Sequence, residues 1–275
     1  MPAHPPTHPV TIDPSADAGT HLSRPELVAY AQGKQTIVAV DRVTRRYAVG
    51  EEELWALKGI TIDIYAGEYL SIMGPSGSGK STLFNMVGGL DMPTTGAVSV
   101  QGVKIQELSR NEQARLRNRC IGYIFQSYNL IPVMTALQNV ALPMLLGGKS
   151  LDSSSKKAAE LLDAVGLGER LDHRPEQLSG GQQQRVAIAR SFANDPCIIL
   201  ADEPTGNLDT RTGEEIIDRL SGLSRERGVT IISATHDHKM LNVSDRVITI
   251  RDGRLHKVEL RSELSIQMGL SLIHI

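Results

Sequence analysis

Residues 68–87 read EYLSIMGPSGSGKSTLFNMV, and this stretch decides the fold. Residues 69–73 form a short apolar run that predicts a strand, and the residues after Gly79 have the apolar spacing of a helix. Between them, residues 74–81 fit the pattern GxxxxGK[ST], in which glycines let backbone N–H groups converge on an anion. A strand, a glycine-rich loop and a helix in this order predict a phosphate-binding loop.

Within this loop, each polar residue type has an expected task. Lys80 is expected to reach the β- and γ-phosphates of a nucleotide, and Ser81 is expected to ligate Mg²⁺. The alternative is a glycine-rich turn that fits the pattern by chance, and the flanking strand and helix disfavour it. The residues expected to bind the nucleotide here are Gly74, Ser76, Gly77, Ser78, Gly79, Lys80, Ser81 and Thr82.

The composition is that of an ordinary globular chain. Among 275 residues, 29 Lys and Arg nearly balance 31 Asp and Glu, so no global field favours nucleic acid. No apolar run reaches the roughly 18 residues of a membrane span, and the start lacks the pattern of a secretory signal. Cys120 and Cys197 have no metal-ligand spacing, which predicts free thiols in a reducing cytosol.

The pattern divides the chain into three parts. Residues 1–36 are rich in Pro and His, which predicts a disordered extension with a short helix in LSRPELVAYAQ. Strands and helices alternate over residues 37–254, which predicts one α/β domain with a parallel sheet. A helical stretch at about residues 127–190 interrupts this alternation and predicts a subdomain. Residues 255–275 are expected to form a C-terminal tail.

Two acidic residues end a second apolar strand, in CIILADE. Asp202 and Glu203 should therefore emerge at the carboxyl edge of the sheet, where ligands bind in open α/β folds. Asp202 fits the carboxylate on the Mg²⁺ side, and Glu203 fits a general base that polarises the attacking water. Taken alone, the pair is equally typical of solvated acids at a strand end; the loop at Gly74 favours the catalytic interpretation.

A histidine ends the next apolar strand, in VTIISATH. His236 can donate a hydrogen bond to a γ-phosphate and orient the water, although a lone histidine is more often structural. Its strand should lie close to the one that ends in Asp202 and Glu203, so His236 is a further catalytic candidate.

A second glycine-rich helix start lies in LSGGQQQRVAIARS, residues 178–191. Gly180 and Gly181 leave bare backbone N–H groups that can meet an anion. The alternative is a buried helix, because Val186 and Ile188 give it an apolar face. Both interpretations can hold, since the face can pack while the N-terminus binds.

The order of these motifs resembles the nucleotide-binding subunit of an ABC transporter, over roughly residues 37–254. LSGGQ matches the signature of that family without departure. The resemblance implies an α/β fold: a P-loop NTPase core with a mixed sheet, an antiparallel β subdomain and a helical subdomain that carries the signature motif. It also implies an ATPase that uses ATP and Mg²⁺.

The resemblance implies roles for residues that the patterns alone do not single out. Tyr47 is similar to the aromatic that stacks on adenine, with a plain strand aromatic as the alternative. Gln126 is similar to a glutamine that contacts Mg²⁺ and water and transmits changes at the nucleotide site to a membrane partner. The alternative is an amide on the surface with no such role. The implied catalytic residues are Glu203, His236 and Gln126, and the implied metal ligands are Ser81, Gln126 and Asp202. The residues implied to bind ATP held by a partner are Ser179, Gly180, Gly181, Gln182 and Asp209.

The resemblance further implies two kinds of partner. Two chains packed head to tail would trap two ATP molecules, each between Lys80 of one chain and Ser179 of the other. Apolar side chains in residues 126–148 predict a surface for a membrane-spanning permease, which places the chain peripherally on the cytoplasmic face of the inner (plasma) membrane.

Two features narrow the family assignment. The segments TALQNVALPM and ADEPTGNLD resemble the branch of macrolide exporters, lipoprotein-release ATPases and cell-division ATPases. The alternative is a soluble ABC ATPase that acts on ribosomes or DNA. A single set of motifs, the lack of heptads and the lack of a basic stripe disfavour it, so no nucleic-acid partner is expected.

Overall fold

Two β-sheets and a group of helices make up the described chain. The computed structural model describes residues 24–50, 52–235 and 238–264. The strands are β1 (Thr36–Val49), β2 (Glu52–Tyr65), β3 (Tyr69–Met73), β4 (Thr95–Val100), β5 (Val103–Lys104), β6 (Ile121–Ile124), β7 (Ile198–Asp202), β8 (Thr230–Ala234), β9 (Arg246–Arg251) and β10 (Arg254–Leu260). The α-helices are α1 (Pro25–Ala31), α2 (Lys80–Val87), α3 (Arg110–Cys120), α4 (Ala136–Leu146), α5 (Leu151–Ala164), α6 (Gly180–Ser191) and α7 (Thr210–Arg227).

The larger sheet has the strand order β10-β9-β3-β8-β7-β6. Strands β9, β3, β8, β7 and β6 are parallel, whereas β10 runs antiparallel to β9. Strands β3, β7 and β8 are buried along nearly their whole length, which explains why they are continuous apolar runs in the sequence. Ala234 pairs with Ile72 on one side and with Asp202 on the other, so three strand ends meet at one edge.

The smaller sheet is antiparallel, with the order β2-β1-β4-β5. One apolar core joins it to the larger sheet through helix α2, because Val40 of β1, Leu83 of α2 and Leu200 of β7 belong to the same buried cluster. A second apolar core holds α4, α5 and α6 together, with Val140, Leu162 and Val186 among its members. The predicted fold class is therefore confirmed: a mixed sheet, an antiparallel β subdomain and a helical subdomain.

The structure describes part of the chain beyond each end of the predicted domain. Within the predicted extension, residues 1–36, α1 lies in the segment where a short helix was expected. Leu27 of α1 is buried, and the Tyr30 hydroxyl donates to Glu68 over 2.9 Å. Residues 1–23 and 265–275 lie outside the described residues.

At the other end, residues 254–260 form strand β10, which extends past the predicted domain end at residue 254. Asp252 and Gly253 both have positive φ, 49° and 76°, and they turn the chain from β9 back into β10. An Asp-Gly pair between two strand-like segments is a strong hairpin signal, and it could have been used at the sequence level.

Two simpler expectations concern the chain as a whole. Cys120 and Cys197 are free thiols, as predicted. Within the described ranges, the helices are too short or too polar to cross a bilayer.

Candidate active site

A cavity of about 550 Å³ lies between the loop that follows β3 and the tip of the antiparallel sheet. Its volume is typical of a small-molecule site. Its lining consists of Tyr47, Leu54, Trp55, Ala56, Gly74, Pro75, Ser76, Gly77, Gly79, Lys80, Ser81, Thr82 and Glu203. The structure thus brings together seven of the eight predicted loop residues, the predicted aromatic Tyr47 and the predicted base Glu203.

The loop has a conformation that requires glycine at its end. Gly79 precedes α2 with a φ of 92°, and a Cβ there would lie 2.3 Å from the carbonyl oxygen of Ala56. Lys80 is the first residue of α2, and its Nζ donates to the carbonyl oxygen of Gly74 over 2.9 Å. The ammonium group and the first N–H groups of α2 therefore face the same small volume, which suits a phosphate group.

Ser78 is the exception among the predicted loop residues. Its side chain is buried, does not line the cavity, and has no hydrogen-bond partner for Oγ within the described residues. Its N–H donates to the carbonyl oxygen of Pro75 over 3.1 Å, and its carbonyl oxygen accepts from the N–H of Gly253. The side chain of Ser78 therefore lies behind the loop, away from the cavity, and a contact between Ser78 and the nucleotide stays a prediction.

The two carboxylates lie at the end of β7 in different surroundings: Asp202 is the last residue of the strand, and Glu203 follows it. Burial raises the pKa of Asp202, the neighbouring charge of Glu203 raises it further, and the ammonium group of Lys80 opposes both effects. These interactions show that Asp202, Glu203 and Lys80 share one electrostatic site. Glu203 lines the cavity directly, whereas Asp202 does not appear in the lining.

Glu203 has a strained backbone. Its φ is 45°, a region that residues other than glycine adopt rarely and at a cost of about 1–3 kcal/mol. The N–H of Glu203 donates to Ala234 on β8 over 2.9 Å. The fully buried side chain of Gln184, from α6, donates through Nε2 to the carbonyl oxygen of Pro204 over 2.7 Å. Contacts on both sides of the residue thus fix the direction in which the carboxylate leaves the strand.

Gln126 lies outside the cavity lining. It is exposed just beyond β6, and its carbonyl oxygen accepts from Nδ2 of Asn207 over 2.8 Å. A Cβ on Gly206 would lie 2.8 Å from Nε2 of Gln126, so this amide packs against the loop that follows Glu203. His236 lies outside the described residues; Thr235 before it is buried, with its N–H donating to Ile72 over 3.1 Å.

The LSGGQ turn forms a separate helix start. Ser179 precedes α6, and its Oγ accepts from the N–H of Gln182 while Oε1 of Gln182 accepts from the N–H of Ser179. The Lys80 cavity includes none of residues 178–182, all of which the structure describes. Asp209 similarly precedes α7, and hydrogen bonds from Thr212 hold its pKa below the usual value. The predicted trans residues are therefore not part of this chain's own cavity.

Trp55 is a cavity residue that sequence reasoning missed. It is the single tryptophan of the chain, and it lines the cavity beside Tyr47. Cross-strand pairing of β1 with β2 places Tyr47 opposite Leu54 and Arg46 opposite Trp55. Pairing the two strand-like segments in the sequence would have brought Trp55 to the same end of the sheet as Tyr47.

Comparisons with known proteins agree with this geometry. A family model described as ABC transporter matches residues 57–206. An uncharacterized ABC transporter ATP-binding protein of Thermotoga maritima is 51% identical over 228 residues, which are 83% of this chain and 97% of that protein. The macrolide export ATP-binding/permease protein MacB of Rhodopirellula baltica is 49% identical over 209 residues, which are 75% of this chain and 31% of that protein.

A solved structure gives the same assignment. The dimeric, post-hydrolysis structure of the ATP-binding cassette MJ0796, bound to ADP and Pi, is 46% identical with a TM-score of 0.76, and the match covers 82% of this chain and 98% of that chain. The chain belongs to the ABC transporter family, in which it is an ATP-binding subunit that hydrolyses ATP. The macrolide-export relative confirms the predicted branch, and these names do not support the ribosome or DNA alternative.

Proposed function

We propose that two copies of this chain bind two ATP molecules head to tail, and that ATP hydrolysis drives a membrane-spanning permease. One observation carries the proposal: the Lys80 cavity holds the phosphate loop and Glu203, but the LSGGQ turn at residues 178–182 lies elsewhere on the chain. A second copy can supply that turn. The dimeric structures of MJ0796, one of them with ADP and Pi, support this arrangement by similarity.

The proposed trans residues share one surface. A Cβ on Gly181 would lie 2.5 Å from the side chain of Thr212, so the start of α6 packs closely on the first turn of α7, which Asp209 caps. First-turn N–H groups have no acceptor within their own helix, so those of Gly180 and Gly181 can bind a γ-phosphate that a partner presents. The helix dipole adds a favourable charge interaction at the same point.

The residues beside Lys80 fit Mg²⁺. Ser81 supplies a hydroxyl at the cavity wall and Asp202 supplies a carboxylate, and Mg²⁺ typically uses one or two such ligands together with substrate phosphates. The raised pKa of Asp202 reflects burial and repulsion by Glu203, and a divalent cation would relieve both. Gln126, which the family resemblance implies as a metal ligand, is the third proposed ligand of Mg²⁺. When bound, the cation neutralises charge on the β- and γ-phosphates.

In the proposed reaction, Glu203 accepts a proton from water as the water oxygen attacks the γ-phosphorus. The bond from the γ-phosphorus to the bridging oxygen breaks, and ADP and phosphate result. Lys80 stabilises the charge on the transferring group, and His236 is proposed to donate to the γ-phosphate. Loss of the γ-phosphate removes the contact between the two chains, so hydrolysis opens the dimer.

The variant Ser179→Arg tests the shared site. Bulk and charge at the start of α6 should block ATP-dependent dimerisation and leave ATP binding to the monomer intact, because Ser179 is not part of the Lys80 cavity. Light scattering with and without Mg·ATP measures the dimer, and equilibrium titration measures binding. A variant that dimerises normally, or that loses ATP as a monomer, contradicts the proposal.

A cleft of about 400 Å³ is the proposed permease site. Its lining includes Leu90, Arg117, Tyr123, Phe125, Pro143 and Arg190. Leu90 is 52% exposed, and the rings of Tyr123 and Phe125 stack with centroids 5.6 Å apart. Apolar anchors in a groove suit a short amphipathic helix. The macrolide-export relative is an ATP-binding/permease protein, which supports a permease as the occupant at the cytoplasmic face of the membrane.

This cleft adjoins the segment that contains Gln126. Phe125 in its lining is the residue before Gln126, and Arg190 of α6 donates to the carbonyl oxygens of Tyr128 and Asn129 over 2.7 and 2.6 Å. A helix in the cleft would therefore contact the Gln126 segment and α6 together. We propose that this contact transmits motion between the LSGGQ helix and the permease.

Leu90→Glu should reduce permease capture by about 10-fold or more, because it places a charge in the cleft where an apolar side chain of the permease helix would be buried. The measurement is co-purification from detergent-solubilised membranes, with the partner identified by mass spectrometry. Val103→Glu is the matched control, since Val103 is also exposed but lies on β5, away from the cleft. Equal permease capture by both variants would contradict the assignment of the cleft as the permease site. Co-purification of ribosomal proteins instead of a permease would favour the soluble alternative.

A further inference from the structure

The ring of Tyr47 is held by a carboxylate from outside its own sheet. The Tyr47 hydroxyl donates to Oδ2 of Asp91 over 2.8 Å. The other carboxylate oxygen of Asp91 accepts from Nη2 of Arg45 over 2.7 Å and from the N–H of Met92 over 2.7 Å. The side chains of Arg45 and Asp91 are only about a quarter exposed, at 23% and 24%, so water screens this ion pair less than it screens a surface pair.

Arg45 also covers one face of the Tyr47 ring. Its guanidinium carbon lies 4.5 Å from the ring centroid, within the range of a cation–π contact. A nucleotide base can therefore stack only on the opposite face of the ring. Asp91 fixes both members of this stack, because it binds the hydroxyl of Tyr47 and the guanidinium of Arg45 at once.

Asp91 is itself tied to the helix that begins the phosphate site. Helix α2 starts at Lys80, and the N–H of Asp91 donates to the carbonyl oxygen of Asn85 in that helix over 3.2 Å. The start of α2 thus carries the phosphate end of the cavity, and the other end of α2 holds Asp91, which binds the aromatic ring. The spacing between the base and the phosphates of a bound nucleotide then depends on Asp91.

We infer that Asp91 is a positioning residue for nucleotide binding: through Tyr47 and Arg45 it presets the ring on which the base stacks. The inference rests on the proposed role of Tyr47 as the stacking residue. Fixing a side chain before the ligand arrives saves about 0.5–1.5 kcal/mol of ordering cost, which corresponds to about 2- to 10-fold in affinity. The effect should concern the base and leave the phosphates untouched.

Asp91→Asn should therefore weaken Mg·ATP binding by about 2- to 10-fold and leave Mg·tripolyphosphate binding unchanged. Isothermal titration of the full chain measures both ligands. Tyr47→Phe keeps the stacking ring but cannot donate to Asp91, and it should show the same selective loss. Asp41→Asn is the matched control, because Asp41 forms an exposed ion pair with Arg42 on β1, and it should bind both ligands as the unaltered chain does.

The outcomes separate this inference from the proposed function. Equal weakening of ATP and tripolyphosphate by Asp91→Asn would show a general disturbance of the loop and overturn the inference. Unchanged ATP binding in Asp91→Asn, together with weakened binding in Tyr47→Ala, would overturn it and leave the stacking role of Tyr47 standing. Unchanged ATP binding in Tyr47→Ala would remove the stacking role itself, and the inference with it.

Discussion

Glu203→Gln should slow ATP hydrolysis by about 100-fold or more, the contribution of a positioned general base. The amide keeps the size of the side chain and can still hydrogen-bond water, but it cannot accept a proton. The strained backbone at Glu203, held by Ala234 on β8 and by Gln184 through Pro204, should keep the amide directed into the cavity. Phosphate release under saturating Mg·ATP is the measurement.

The same variant should change assembly. ATP should still bind through Lys80, and Asp202 and Ser81 should still hold Mg²⁺, so ATP accumulates between two copies. We expect a long-lived dimer in Mg·ATP and a monomer in ADP by gel filtration. Glu169→Gln, an exposed residue of the helical subdomain, is the matched control and should behave as the unaltered chain does. Hydrolysis at the unaltered rate in Glu203→Gln would mean that Glu203 is only a solvated carboxylate at a strand end.

Lys80→Ala should weaken ATP binding by on the order of 100-fold or more, because it removes the one charge that the loop aims at the β- and γ-phosphates. Nζ of Lys80 donates to the carbonyl oxygen of Gly74, so the change also removes the group around which the loop closes. Trp55, the single tryptophan, lines the cavity and gives a fluorescence signal for titration. Lys104→Ala is the control, since Lys104 pairs with Glu107 on the surface.

Much of the site could be predicted from local sequence patterns. The strand before Gly74, the helix after Gly79 and the carboxylates at the end of β7 follow from apolar spacing and from residue types that phosphate chemistry requires. Tyr47, Gln126 and Asp209 have no such local signal, and only the family resemblance singled them out. Their positions in the structure leave Tyr47 in the cavity and the other two outside it.

What the sequence did not reveal depends on contacts between distant segments. Asp91 meets Tyr47 only because the loop after α2 reaches the antiparallel sheet, and Gln184 meets Pro204 only because α6 packs against β6 and α7. Ser78 fits the loop pattern, yet its side chain is buried and does not line the cavity. Such orientations are set by tertiary packing, and a pattern of residue types does not encode them.

The central claim is that each ATP site takes Lys80 from one chain and Ser179 from another, and mixing two inactive variants tests it. Lys80→Ala and Ser179→Arg each spoil both sites of their own dimers. In a mixed dimer, one site receives both changes and the other receives neither. Neither variant forms an ATP-bound dimer with itself, so only mixed dimers hydrolyse ATP, each through one intact site of two, and the mixture should recover up to about half of the unaltered rate of phosphate release. Activity no higher than the average of the two separate variants would contradict the shared site.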